Sequence, residues 1–282
     1  MVMVCQDSII RINKDGTPYA LGNGFYLHST LKENLDYEHK RIGKNWDCLG
    51  CLCGEEGSGK TNLGKAICYY MSDLSGIRFT VDDIFFTVPQ FENWLENAKP
   101  GTSGLWDEFV LAGLSTDALL QIQNTLIKKM TMIRKKRLFI LLVIPYIFML
   151  RKYFAIARTR FMIQVTSPDN LSRGTFDYYS KPNKRKLYIL GYKFWEPNAW
   201  DCDFHGNFSD YTGLLVNEEI YEQRKDEATK TLDEKGGLKG NLWYTRVGFA
   251  CKQLNDYGMT YERLANIFNM NITDVENSIA SF

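Results

Sequence analysis

The stretch CLGCLCGEEGSGKTNLG, Cys48 to Gly64, constrains the fold of this chain more than any other. An apolar run, Trp46 to Cys53, halts at Gly54, and a run without polar alternation suits a strand buried on both faces of a sheet. Gly54, Gly57 and Gly59 then let the backbone enter conformations that turn successive amides inward. A helix is predicted over Asn62 to Ser72, where Ala66, Ile67 and Tyr70 recur at helical spacing. Strand, glycine-rich turn and helix form the context in which G-x4-G-K-[ST] has a mechanism. Backbone N–H groups of Glu56 to Lys60 would wrap phosphates, and the positive end of the helix would add to them. The Lys60 ammonium would reach the outer phosphates, and the Thr61 hydroxyl a Mg²⁺ ion. Gly54, Glu55, Glu56, Gly57, Ser58, Gly59, Lys60 and Thr61 are therefore the expected nucleotide-holding residues. A bare glycine-rich surface turn is the alternative, and the complete motif between the right elements argues against it.

At 282 residues, 45% hydrophobic and 24% charged, the chain has the composition of a globular protein. Its formal charge of +1 means that attraction to nucleic acid must come from local patches. Seven cysteines, three of them in Cys48 to Cys53, suit a reducing compartment better than a secreted disulfide framework. The start, MVMVCQDSII, lacks the basic and apolar regions of a signal peptide. The most apolar window, Leu138 to Leu150, falls short of the ~20 residues that span a bilayer. It reads as a buried strand followed by a helix, so the expectation is a cytoplasmic protein without a membrane span, in the host cytoplasm or virion-associated if the source is viral.

Strands and helices alternate, which points to an α/β fold with a mostly parallel central sheet. Ile77 to Thr87 reads as a strand, PQFENWLENA as a short helix opened by Pro89, and TSGLWDE as a strand ending in two carboxylates. Over Thr116 to Arg137, Leu119, Ile122, Leu126, Met130 and Ile133 recur at steps of three and four, an amphipathic helix. LFILLVI, ended by Pro145, and Phe161 to Val165 read as strands, as does KLYILGYKF. Asn217 is expected to cap a helix with Glu218 and Glu219 in its first turn. Asp233 to Asn241 has the composition of a linker, which divides the chain into 1–232, a linker 233–241, and a small C-terminal helical module, 242–282.

A hydrolase of a bound nucleotide needs a carboxylate for the metal shell and commonly a second to polarise water. LWDEF supplies Asp107 for Mg²⁺ and Glu108 as the base; a capped strand end with two solvated acids is the plain reading. Asp82 and Asp83 are a rival pair, but they lie barely one helix and one strand beyond Lys60.

These pieces resemble P-loop ATPases of the additional-strand, catalytic-glutamate class. The run from Trp106 to Val165 is similar to the DNA-translocating ATPases of viruses and mobile elements: the FtsK/HerA, zonular-occludens-toxin-like and terminase groups. The resemblance covers about residues 40 to 230 and is firm at the two nucleotide motifs. Where the FtsK/HerA pattern usually carries a Gln sensor, this chain has VIPY, Val143 to Tyr146. The resemblance implies ATP and Mg²⁺ as cofactors, a homo-oligomeric ring, and Arg158 or Arg160 as a guanidinium offered to a neighbour's γ-phosphate. Arg173 and Arg246 are further candidates for that role.

Lys128, Lys129, Arg134, Lys135, Lys136 and Arg137 cluster at the end of the long helix, and Lys181, Lys184, Arg185 and Lys186 form a second group. Either would neutralise phosphates without sequence preference, as a motor on double-stranded DNA requires; a solvated helix end is the plain reading of the first. The tail is similar to a helix-turn-helix, with Thr260 as cap and Leu264, Ala265, Val275 and Ile279 inside. Its second helix carries Asp274 and Glu276 and no Lys or Arg, a surface that repels phosphate unless Asn271, Thr273, Asn277 and Ser278 do the reading, so DNA contact and docking to a portal, capsid or replication protein both stay open. Cys48, Cys51, Cys202 and His205 have zinc-like spacing, but alternation along the strand would send Cys48 and Cys51 to opposite faces. The expected function is an ATP-hydrolysing DNA motor for genome packaging or transfer. The alternatives are an ATP-dependent replication initiator or helicase loader, and a small-molecule kinase, which leaves the basic clusters and the tail unexplained.

Overall fold

The computed structural model describes residues 2–4, 9–12, 18–21, 25–107, 116–167, 174–209, 215–228, 230, 251–252, 254–255, 259–268, 272 and 275. The chain forms two compact units, Met1–Lys225 and Asp226–Phe282. In the first, β1 (Val2–Val4) pairs antiparallel with β4 (Phe25–Leu27), and β2 (Ile9–Ile12) with β3 (Pro18–Leu21). Helix α1 (Ser29–Gly43) leads into β5 (Cys48–Cys53), then α2 (Lys60–Leu74). Next come β6 (Ile84–Phe85), α3 (Val88–Asn97), β7 (Ser103–Trp106), α4 (Thr116–Lys135) and β8 (Phe139–Val143). The unit continues with β9 (Phe161–Thr166), β10 (Thr175–Ser180), α5 (Lys181–Gly191), β11 (Phe204–Asn207) and the start of α6, which is helical over 218–228.

Seven strands form the central sheet in the order β11-β10-β9-β5-β8-β7-β6. From β9 to β6 all neighbours are parallel; β10 and β11 extend the β9 edge antiparallel. Every residue of β5 and β8 is buried, which is why both sequences are continuously apolar. The apolar window at Leu138 to Leu150 is thus a central strand and a short 3₁₀ turn, Ile147–Met149. No described helix is long and apolar enough to cross a membrane.

Alternation on β5 divides its cysteines as expected: Cys51 and Cys53 join the main core with Ile140, Leu142 and Met162, and Cys48 does not. At the β6–β7 end, Phe85, Phe91, Trp94 and Trp106 stack, tilt or meet edge-on with ring centroids 4.6–6.3 Å apart. Each such aromatic pair is worth about 0.5–1.5 kcal/mol beyond its area. Helix α3 starts as its sequence implies, with Pro in the first turn and Thr87 and Gln90 closing a capping box. Leu126 and Ile133 of α4 are fully buried.

Two expectations are corrected. Ile77 to Thr87 is a strand only at Ile84–Phe85, because Thr80 and Asp83 cap a 3₁₀ turn, Val81–Asp83, and their local hydrogen bonds displace the ladder. KLYILGYKF is not a strand: its first part is the C-terminal half of α5. Lys184, Leu187, Tyr188 and Gly191 fall on one buried stripe at helical spacing, and the Tyr188 hydroxyl donates to Leu150 O at 2.9 Å.

In the second unit, Cys251, Leu264, Ala265 and Val275 pack together, with Leu264 and Ala265 on α7 (Tyr261–Phe268). Asp233 to Asn241, Asp274, Glu276 and Ile279 lie outside the described residues.

Candidate functional site

Strand β5 delivers Gly54 to the end of the sheet, and the loop to Gly59 turns through Gly54, Gly57 and Gly59 at φ of 144°, 74° and 97°. Such angles favour glycine. At Gly54 close approach adds to the requirement, since a Cβ there would lie 2.5 Å from the Val165 carbonyl oxygen. The Gly54 amide donates to Pro145 O at 2.9 Å, so the VIPY turn after β8 holds the start of the loop directly.

Helix α2 begins at Lys60 with no side-chain cap on its first amides. Lys60 Nζ folds back on the loop and donates to Gly54 O at 2.8 Å and Glu55 O at 2.6 Å. The Ser58 hydroxyl is buried and has no hydrogen-bond partner among the described residues. Glu55, Glu56 and Gly57 are exposed. Phe208, after β11, packs beside Gly59, where a Cβ would meet its ring at 3.1 Å.

Two strands away across the sheet, β7 ends at Trp106 and Asp107 follows, fully buried. Thr61 Oγ1 donates to Asp107 Oδ1 at 2.9 Å, which unites the two residues assigned to the metal. Glu108 lies outside the described residues. Sequence reasoning missed the group on the other carboxylate oxygen: Tyr221 of α6 donates its hydroxyl to Asp107 Oδ2 at 2.5 Å. Asn217 caps α6 through Oδ1 to the Ile220 amide, 3.2 Å, as its sequence suggests. Lys65 of α2, almost fully buried, then binds Glu218 at 2.8 Å with its ammonium 3.4 Å from the Tyr221 ring centroid. A lysine on the apolar side of α2 beside Ala66 and Ile67 was the signal available for that pair.

The rival acids serve elsewhere. Asp82 pairs with Arg224 at 2.5 Å, and Asp83 accepts from Thr80 N and Trp94 Nε1, both at 2.9 Å. Burial raises the Asp83 carboxyl above its ordinary value, opposed by those hydrogen bonds.

Beside the loop, Gly54, Ser58, Tyr146, Phe148, Gln164 and Asn198 help to line a cavity of about 250 Å³. Its aromatic faces and side-chain amides suit a flat, hydrogen-bonding ring.

The basic residues divide by environment. Lys184, expected on DNA, is fully buried and donates to Ala155 O, Thr159 O and Thr159 Oγ1, so it offers a phosphate nothing. Burial lowers its pKa to about 8. Lys136 is also structural: its ammonium donates to Leu95 O, Glu96 O and Ala98 O, the carbonyls at the end of α3. Lys129 pairs with Glu92 at 3.2 Å, and Lys186 lies 4.3 Å from the Trp200 ring centroid. Lys128, Arg134, Lys135 and Arg185 are exposed, and Arg137 is partly so.

Arg158 and Arg160 precede β9 at the end of the sheet opposite the loop. Each meets a carboxylate of its own chain, Arg158 with Asp47 and Arg160 with Glu38 at 3.2 Å. Strands of this length span about 20 Å, so neither reaches a ligand in its own glycine loop. Arg173 and Arg246 lie outside the described residues. The zinc-like set is not assembled: Cys48 and Cys51 are buried in β5, whereas Cys202 and His205 cluster with Asp177 at the β10–β11 edge.

Comparison of the chain with protein-family models, curated proteins and solved structures gives no match.

Proposed function

We propose that this chain is an ATP-hydrolysing motor that moves double-stranded DNA, acting as a homo-oligomeric ring in genome packaging or DNA transfer. The observation that carries the proposal is the hydrogen bond from Thr61 to Asp107, 2.9 Å, at the mouth of a glycine loop whose lysine is already folded over it. Thr61 and Asp107 would hold a Mg²⁺ ion, and the Lys60 ammonium would serve the outer phosphates of a bound ATP. The buried Ser58 hydroxyl, without a hydrogen-bond partner among the described residues, supports a ligand inside the loop, and the cavity of about 250 Å³ beside it suits the base. Sheet order supports the additional-strand class, because β8 lies between the strand bearing the loop and the strand bearing Asp107. Glu108, next to Asp107, is the proposed base that polarises water. The C-terminal module docks a DNA or protein partner.

ATP turnover with and without duplex DNA tests the reading. Hydrolysis stimulated by DNA and lost in Glu108→Gln is expected; no hydrolysis, or full hydrolysis in that variant, would sink it.

A further inference from the structure

A second polar cavity, about 350 Å³, opens at the end of the sheet where β5 begins, opposite the glycine loop. Its walls come from separate parts of the chain: Arg41 near the end of α1, Arg134 near the end of α4, Arg158 and Arg160 before β9, and Lys181 at the start of α5. Trp46 stands at the wall half-exposed, with the Arg41 and Arg134 guanidinium groups 5.1 Å and 5.7 Å from its ring centroid. An indole face holds guanidinium groups in place without neutralising them.

Among the described residues, the carboxylates paired with these five cations are Asp47, on Arg158, and Glu38, shared by Arg41 at 2.5 Å and Arg160 at 3.2 Å. Positive charge therefore exceeds negative by three, and Arg134 and Lys181 form no ion pair among the described residues. Burial lowers the Lys181 pKa, and the like charges of Arg160, Arg41 and Arg158 lower it further against Glu38. A concave site that concentrates one sign of charge between low-dielectric walls attracts a polyanion.

We propose that this cavity binds the phosphate backbone of nucleic acid, at a site separate from the glycine loop. Several guanidinium groups spread over one concavity suit successive phosphates of a strand, since arginine offers planar paired donors to each oxyanion. Contacts to phosphates carry no sequence information, so binding through them is independent of sequence. The identity of the anion as nucleic acid rests on the motor reading; the excess of positive charge does not.

Fluorescence anisotropy of a labelled mixed-sequence duplex, titrated at several salt concentrations, is the test. Arg134→Gln/Lys181→Gln removes the two unpaired cations and leaves the Asp47 and Glu38 pairs intact. Affinity is expected to weaken on the order of tenfold, and the slope of log K against log salt to become shallower by about 1.8. The comparison variant Arg78→Gln/Lys99→Gln removes as much charge at exposed positions outside the cavity and outside both basic clusters, and is expected to change both far less. Equal effects in the two variants, or no effect in the first, would overturn the site. So would loss of inorganic tripolyphosphate binding in the first variant while duplex binding stays unchanged. Arg134→Gln alone, at an exposed helix position, carries the test if the pair fails to fold, with a slope change of about 0.9. ATP binding by the wild-type protein is read separately. Duplex binding without ATP binding sinks the motor and keeps the cavity; the reverse sinks the cavity alone.

Discussion

The Tyr221 hydroxyl donates to Asp107 Oδ2 at 2.5 Å while Thr61 holds Oδ1 of the same buried carboxylate at 2.9 Å. The two residues lie 114 positions apart, and the contact ties α6 to the end of β7. A hydroxyl on a buried carboxylate fixes its rotamer and offsets its desolvation. Tyr221→Phe keeps the ring over Lys65 and removes only the donor. Its expected cost in metal-free protein is about 1–3 kcal/mol, measured by urea unfolding. Mg²⁺ and ATP should narrow the gap to wild type, because the ion supplies the positive charge the carboxylate has lost. An unchanged gap would separate Tyr221 from the metal position.

Packing under α3 gives an independent check of the fold. A Cβ on Gly104 of β7 would lie 2.6 Å from Trp94 Cζ2 and 2.9 Å from Phe85 Cε1, both within the aromatic cluster. Gly104→Ala is expected to lower stability by about 1–3 kcal/mol through overpacking. A neutral result in thermal or urea unfolding would mean that β7 and α3 do not meet in this way.

Lys184 gives the protein a pH dependence of known sign. The buried ammonium has its pKa lowered to about 8 from its ordinary 10.5. Between these values the unfolded chain holds a proton that the folded chain has released, so raising the pH favours folding, by roughly 3 kcal/mol across the window. Lys184→Met cannot titrate, and contributions from other groups cancel in the difference between the two proteins. Wild-type stability minus that of Lys184→Met should therefore grow from pH 8 to 10.5. A flat difference in urea midpoints would mean that the side chain is not buried.

Local pattern made part of this molecule legible. The glycine loop, the buried strands β5 and β8, the proline-opened start of α3 and the acid after β7 each follow from neighbouring residues, and the structure has them where the sequence implies. Thr61 and Asp107 were both assigned to the metal, and their contact at 2.9 Å follows from parallel strands ending at the same edge.

Other features depend on contacts that no local window contains. Ile189, Leu190 and Tyr192 gave α5 a strand-like composition, although its burial follows a helical stripe that includes Lys184. That lysine read as surface charge because nothing nearby revealed the carbonyls of Ala155 and Thr159. Tyr221 carried no signal until α6 met α2. The basic cavity likewise unites residues from four separate segments, and Arg41 was in neither basic cluster of the sequence.

Binding of a fluorescent ATP analogue, measured with and without Mg²⁺ in wild type, Lys60→Ala and Asp107→Asn, tests the central claim most directly. Wild type should bind, and more tightly with Mg²⁺. Lys60→Ala should lose about 10- to 100-fold in affinity, the worth of charge-assisted hydrogen bonds of about 1.5–3 kcal/mol, and Asp107→Asn should lose the Mg²⁺ enhancement. Absence of binding in wild type, or equal Mg²⁺-dependent binding in all three proteins, would contradict a nucleotide site built on Lys60, Thr61 and Asp107.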